Sequence, residues 1–136
     1  MERWFGMALL VILLWGLGSL LGKLALIRDT PYRVYLFEGI GTLAVLILFV
    51  FFKKHDIFTN FSFNIYALLM GFTWGLGTIF FIIALQPAKL SVIVPLTALY
   101  PAITVLLSLF FLHERLELKE VIGIVLAILS IVLLSK

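Results

Sequence analysis

The sequence contains no cysteine. That absence excludes disulfides, thiolate metal sites and cysteine nucleophiles. Charge is also scarce: Asp, Glu, Lys and Arg make up 12% of the chain, against roughly 25% in soluble globular domains. Histidine is limited to His55 and His113, both between apolar stretches, so neither a metal nor a cofactor is assigned. With no serine–aspartate company for a histidine at membrane depth, an enzyme is not expected. No segment is low in complexity, and no loop is long enough to form a second domain. What is abundant is apolar surface, with hydrophobic residues at 64%.

That surface is gathered into five stretches, roughly 4–27, 34–52, 64–86, 91–112 and 118–135. Each approaches or exceeds the ~20 residues an α-helix needs to cross a bilayer core of about 30 Å. The composition therefore predicts an all-α membrane protein of five transmembrane helices forming a single domain over residues 1–136. The first stretch is too long for a cleavable signal peptide and has no small-residue cleavage site after it.

An odd number of crossings places the termini on opposite faces. Arg3, Lys53, Lys54, Arg115 and Lys119 fall on the N-terminal face, and Lys23, Arg28, Arg33, Lys89 and Lys136 on the other. Loop Lys and Arg set insertion direction, whereas acids contribute little. This even division removes the usual cue and predicts insertion both ways up, with assembly as an antiparallel homodimer. The pI near 9.4 does not point to nucleic acid, because the basic residues sit singly in loops, where they meet lipid headgroups.

Turn chemistry separates the stretches. Pro31 after Asp29-Thr30 is placed to open the second helix. Residues 53–63 read as the longest loop, with Phe58, Phe61 and Phe63 and then Tyr66 as an interfacial aromatic belt. Pro87 ends the third helix, and Ser91 is a candidate cap for the fourth.

An echo recurs at an offset of 59 residues: Trp15-Gly16-Leu17-Gly18-Ser19 returns as Trp74-Gly75-Leu76-Gly77-Thr78. It reads either as two helices presenting one surface to a shared cavity, or as close packing through Gly18-x-x-x-Gly22 and Gly71-x-x-x-Gly75. The run Gly16-x-Gly18-x-x-x-Gly22 is not a dinucleotide loop, because it lies inside an apolar helix and its spacing is one residue too long.

Polar groups at membrane depth carry the functional expectation. Trp15, Ser19, Gly22 and Lys23 share one helical stripe, and Lys23 and Glu38 lie at similar depths on either side of the first turn. Ionisable groups in hydrocarbon are costly and usually pair or face a cavity. Three readings stay open: a Lys23–Glu38 pair that locks the hairpin, Glu38 binding a cationic solute or a coupling proton, or Lys23 snorkelling to the interface while Glu38 pairs with Arg33 or water. In the fourth stretch Thr97, Tyr100, Thr104 and Ser108 lie near one face, while Pro95 and Pro101 interrupt the helix. Such a kinked, hydroxyl-bearing helix either lines a solute pathway or packs tightly.

The run Ala84-Leu85-Gln86, Ser91, Val94-Pro95-Leu96, Tyr100-Pro101, His113-Glu114-Arg115-Leu116 and Gly123 resembles the C-terminal half of an EamA-type repeat of the drug/metabolite transporter superfamily. Trp15-Gly16, Lys23 and Pro31 fit the start of the same repeat, so the resemblance covers nearly the whole chain. It implies a single five-helix repeat, like the small bacterial and archaeal members, in the cell (inner) membrane. It further implies an alternating-access carrier whose site lies at the interface of two repeats. Glu38 falls where relatives often carry a basic residue, which could shift preference toward cations. Glu114 and Arg115 match an interfacial acidic–basic pair of structural role.

Together these readings predict a secondary transporter, an exporter of a small metabolite or drug-like solute with possible proton coupling. Trp15, Ser19, Lys23, Glu38, Trp74, Tyr100 and Thr104 are the expected cavity lining, with the bilayer and a second copy as partners. The rival expectation is a non-transporting or half-transporter subunit that needs a different membrane chain.

Overall fold

The structure is a computed structural model and describes residues 3–59 and 61–134. Among them the chain is helical and contains no strand. Four helices are long and apolar enough to cross a membrane, over Trp4–Leu26, Pro31–Phe58, Ile65–Leu85 and Leu90–Leu112. A fifth, Leu118–Leu134, has 17 residues, at the short end of the spanning range of ~17–25. The five-helix membrane architecture expected from hydropathy is therefore the one the chain adopts. Ser135 and Lys136, the expected end of the last stretch and its flanking charge, lie outside the described residues. The chain forms two compact units, Met1–Gln86 and Pro87–Lys136.

The first unit contains α1 (Arg3–Leu26), α2 (Pro31–Phe58) and α3 (Ile65–Leu85). α1 closes through Arg28 and Asp29 N–H groups donating to the Ala25 carbonyl, 3.0 Å each. Asp29 Oδ1 then accepts from Thr30 N–H at 2.9 Å, and Pro31 takes the first helical position. Proline suits that position because its missing N–H would have had no partner there.

α2 is longer than its hydropathy suggests. Residues 53–58, expected in a loop, are helical beyond a non-helical Lys53 (φ −116°, ψ 16°). The reason lies in local bonds that hydropathy does not register. Lys53 Nζ reaches Asp56 Oδ2 at 3.1 Å, and Thr59 closes the end by donating to the His55 carbonyl from its hydroxyl at 2.6 Å and its N–H at 3.0 Å. The 28 residues of α2 span about 42 Å, so the charged last turn lies beyond the hydrocarbon. Phe58 and Phe61 follow there with ring centroids 6.2 Å apart. Phe58, Phe61, Phe63 and Tyr66 are all exposed, as a headgroup-level belt requires.

Asn64 caps α3, its Oδ1 accepting from Ala67 N–H at 3.1 Å. This satisfies a donor that the helix start leaves without a partner. α3 stops at Leu85, two residues short of Pro87.

The second unit holds α4 (Leu90–Thr97), α5 (Tyr100–Leu107), a π-helical turn (Ser108–Leu112) and α6 (Leu118–Leu134). Ser91 does not cap α4, because the Lys89 carbonyl already accepts from the Val92 and Ile93 N–H groups at 3.0 Å. The cap position accordingly belongs to Lys89. The two interruptions expected at Pro95 and Pro101 resolve into one break at Ala98–Leu99. Pro95 stays inside α4, where its ring removes only a bond to the carbonyl of Ser91. Pro101 sits in the first turn of α5 and has no N–H for the Thr97 carbonyl. The chain steps past it with tighter bonds, Leu99 N–H to Leu96 O at 3.2 Å and Ala102 N–H to Leu99 O at 3.0 Å.

The π turn ends at His113 in the left-handed region (φ 53°). The following turn is set by side chains of α6 itself: Glu120 Oε2 accepts from the Glu117 N–H at 2.8 Å, half of a capping box. Ala98, Pro101 and Val105 with Ile124 and Ala127 line an apolar crevice of about 100 Å³ in this unit.

Candidate solute-binding site

The echo in α1 and α3 is a matched pair of structures. Ser19 Oγ donates to the Trp15 carbonyl at 2.9 Å, and Thr78 Oγ1 donates to the Trp74 carbonyl at 2.9 Å. In each copy the hydroxyl bonds back one turn along its own helix. The indoles of the two copies meet, with ring centroids 5.4 Å apart and planes tilted by 59°. An aromatic pair at this separation contributes about 0.5–1.5 kcal/mol beyond its buried area. Trp15 and Trp74 both keep about half of their surface exposed (52% and 50%), and the pair holds α1 to α3.

Two turns further along α1, the contact tightens. A β-carbon at Gly22 would lie 3.6 Å from Leu85 Cδ2, and Leu85 is fully buried. Lys23 lies beside it, its ammonium donating to the Leu85 carbonyl at 2.8 Å and the Gln86 carbonyl at 3.1 Å. The last carbonyls of a helix lack intrahelical donors, and a cation is favoured at that end. Lys23 therefore caps α3 from a neighbouring helix.

Glu38 has a different partner, Thr42, whose Oγ1 donates to its Oε1 at 3.1 Å. Among the described residues no cation pairs with it. The Lys23–Glu38 pair, one of the readings open from sequence, does not form. α3's terminal carbonyls hold the lysine, and those acceptors belong to the backbone rather than to any residue type. Glu38 lies one turn beyond the buried Val34 and is itself exposed.

Tyr35 was not legible as a site residue. Its hydroxyl donates to the Gly75 carbonyl at 3.1 Å, tying α2 to α3 one residue from Trp74. A β-carbon at Gly75 would stand 3.5 Å from that hydroxyl, whereas Gly18 and Gly71 have nothing within 4 Å of the corresponding point. In the second unit Tyr100 and Thr104 are exposed, and the Thr104 hydroxyl donates to the Tyr100 carbonyl at 3.2 Å. Trp15 and Trp74 thus meet between α1 and α3, whereas Ser19 bonds back along α1 and Lys23 reaches α3 only at its C-terminal end. Glu38 stands exposed on α2, and Tyr100 and Thr104 lie one turn apart in α5.

Among the described residues no group of histidine and acidic side chains could hold a metal ion.

Comparison with known proteins agrees with this architecture. The sequence model of the EamA-like transporter family matches residues 2–136. An uncharacterized protein of the archaeon Methanocaldococcus jannaschii is 34% identical over 129 residues, covering 95% of this chain and 93% of the relative. No solved structure matches the chain. With its helical membrane architecture and a family match over nearly its whole length, the chain belongs to the EamA-like transporter family.

Proposed function

We propose that the protein is a secondary transporter, exporting a small metabolite or drug-like solute, and that it works as an antiparallel, dual-topology homodimer with alternating access. Its place is the cell (inner) membrane of a bacterium or archaeon. Glu38 carries this reading. It lies seven residues beyond Pro31, about 10 Å into the membrane, with a threonine of its own helix as hydrogen-bond donor. A carboxylate there is stable only against a water-filled cavity or a partner charge, and an inverted second copy facing it would enclose such a cavity. Inverted repeats with discontinuous helices near the midplane are the usual construction of secondary transporters, and the Ala98–Leu99 break supplies the discontinuity.

In this reading Trp15, Ser19, Lys23, Glu38 and Trp74 of the first unit line the solute path, as do Tyr100 and Thr104 of the second. Gly22 and Gly75 hold the helices close enough to shape it, Gly18 and Gly71 keep their faces clear of side chains, and Pro95 and Pro101 bend the lining helix. The indole faces suit cation–π contact.

The test of assembly uses the absence of cysteine. Single cysteines at Asp56 and Lys136 are exposed to a membrane-impermeant thiol reagent before and after permeabilisation. About half of each labelled from outside is the expected result for a charge-balanced chain. Complete labelling of one site and none of the other fixes one orientation and removes the antiparallel homodimer.

Proton coupling is assigned to Glu38. In inverted vesicles carrying a pH-gradient dye, a panel of solutes will include some that collapse the gradient through the wild-type protein. Glu38→Gln, which keeps the shape and removes the titrating group, will abolish that response. Full retention of the response would move the coupling elsewhere.

A further inference from the structure

A groove on α2 and α3, lined by none of the residues assigned to the solute path, has the form of a lipid site. Tyr32, Tyr35, Leu36, Gly39, Ile40 and Leu43 line it from α2 and Ile79 from α3, an open surface groove of about 590 Å³. The α2 residues recur at i, i+3, i+4, i+7, i+8 and i+11, one continuous stripe. From Tyr32 to Leu43 that stripe runs about 16 Å, close to the acyl depth of one leaflet, half of a ~30 Å core. Gly39, at its middle, has nothing within 4 Å of where a β-carbon would stand, so the concavity there is unobstructed. The Tyr35–Gly75 hydrogen bond ties the two walls together.

The turn and the start of α2 beside the outer end of the groove carry Arg28, Asp29 and Arg33. Tyr32, at its outer end, is exposed. Arg33, next in sequence, leaves 72% of its side chain in the open and reaches Asp29 only at 3.5 Å. Arg28, also exposed, precedes them in the turn. Arginine holds phosphate oxygens through paired N–H donors, and basic residues at the membrane surface attract anionic lipid.

The geometry points to a retained anionic phospholipid, with one acyl chain along the Leu36–Gly39–Leu43 stripe and its phosphate at Arg33. A second, inverted copy offers these arginines no phosphate: at their level it carries Lys53, Lys54 and Asp56, the acid already held by Lys53 at 3.1 Å. The site does not depend on the transport reading, since a protein in either orientation presents it to lipid.

The probe is phosphatidylglycerol in competition with phosphatidylcholine. The wild-type protein, extracted from vesicles of equal parts of the two lipids, is examined by native mass spectrometry for the lipid that stays bound. Phosphatidylglycerol should be retained over phosphatidylcholine by roughly five-fold, the preference that one basic residue at a membrane surface confers. Arg33→Gln, which removes an exposed side chain whose described partner is Asp29 at 3.5 Å, should lose the preference and keep some lipid. Gly39→Leu should lose the lipid, while Gly41→Leu, on the same helix but off the stripe, should keep it with its preference.

Equal retention of both lipids by the wild type would overturn the assignment. So would loss of lipid from Gly41→Leu to the same extent as from Gly39→Leu. Efficient self-cross-linking of a Leu43→Cys protein would give the groove to a second copy and overturn it as well.

Discussion

The double substitution Ser62→Lys and Lys89→Gln will insert in a single orientation. Ser62 lies in the loop between α2 and α3 and Lys89 in the turn before α4, on opposite faces of the membrane, and both are exposed. Neither side chain makes a hydrogen bond among those described, so the fold should be indifferent to both changes. The faces then differ by two positive charges where the native loops are balanced, and the richer face stays in the cytoplasm. A cysteine at Asp56 will be inaccessible from outside in every molecule. The reverse pair, Thr30→Lys and Lys54→Gln, will expose it in every molecule. Each biased protein alone will fail to form inverted cross-linked pairs, and the two expressed together will form them. If either biased variant cross-links and transports alone as the wild type does, the antiparallel homodimer is wrong.

Leu85→Ala will be the most damaging single truncation in the first unit. Leu85 is 0% exposed, its side chain fills the space left by Gly22, and its carbonyl anchors Lys23. In a soluble core, such a change costs about 2–5 kcal/mol. Here the transfer part of that cost is small, because an exposed leucine would rest in lipid as apolar as the protein. What remains is lost dispersion contact and an unfilled space, which puts the expected loss near the lower end, about 2 kcal/mol. Ile83→Ala, two residues away and 39% exposed, should cost well under half of that, because lipid chains can fill its place. The midpoint of unfolding by sodium dodecyl sulfate in mixed micelles measures both. Equal losses would mean that Leu85 is not the point on which α1 and α3 close.

The parts of this fold that were legible in the sequence are those written in residue types with one backbone consequence. Pro31 starts α2, Pro87 follows the end of α3, and Pro101 marks the break in the fourth stretch, because a ring without an N–H has few places in a helix. The extension of α2 past Lys53 was not legible, because a charged run reads as loop, and only the Thr59 bonds to His55 show where the helix stops. Ser91 looked like a cap but was displaced by Lys89, whose backbone carbonyl takes the first helical bonds with no side-chain signal.

At the candidate site the Trp-Gly-Leu-Gly echo was visible, but the meeting of Trp15 with Trp74 depends on how α1 and α3 lie in register. The bonding of Lys23 was hidden for a simpler reason. Its acceptors are main-chain carbonyls, which every sequence contains and none spells out.

The hydroxyls within the apolar helices have one further consequence. Ser19, Thr73, Thr78, Thr97, Thr104 and Ser108 each spend their single hydrogen on a carbonyl three or four residues earlier, and Thr42 spends its own on Glu38. What these side chains still present is lone pairs. A group that bonds to these oxygens has to bring the hydrogen itself, as an ammonium or amide does and a carboxylate does not. Selectivity of this kind would be set by the direction of each O–H bond, before any cavity dimension is considered.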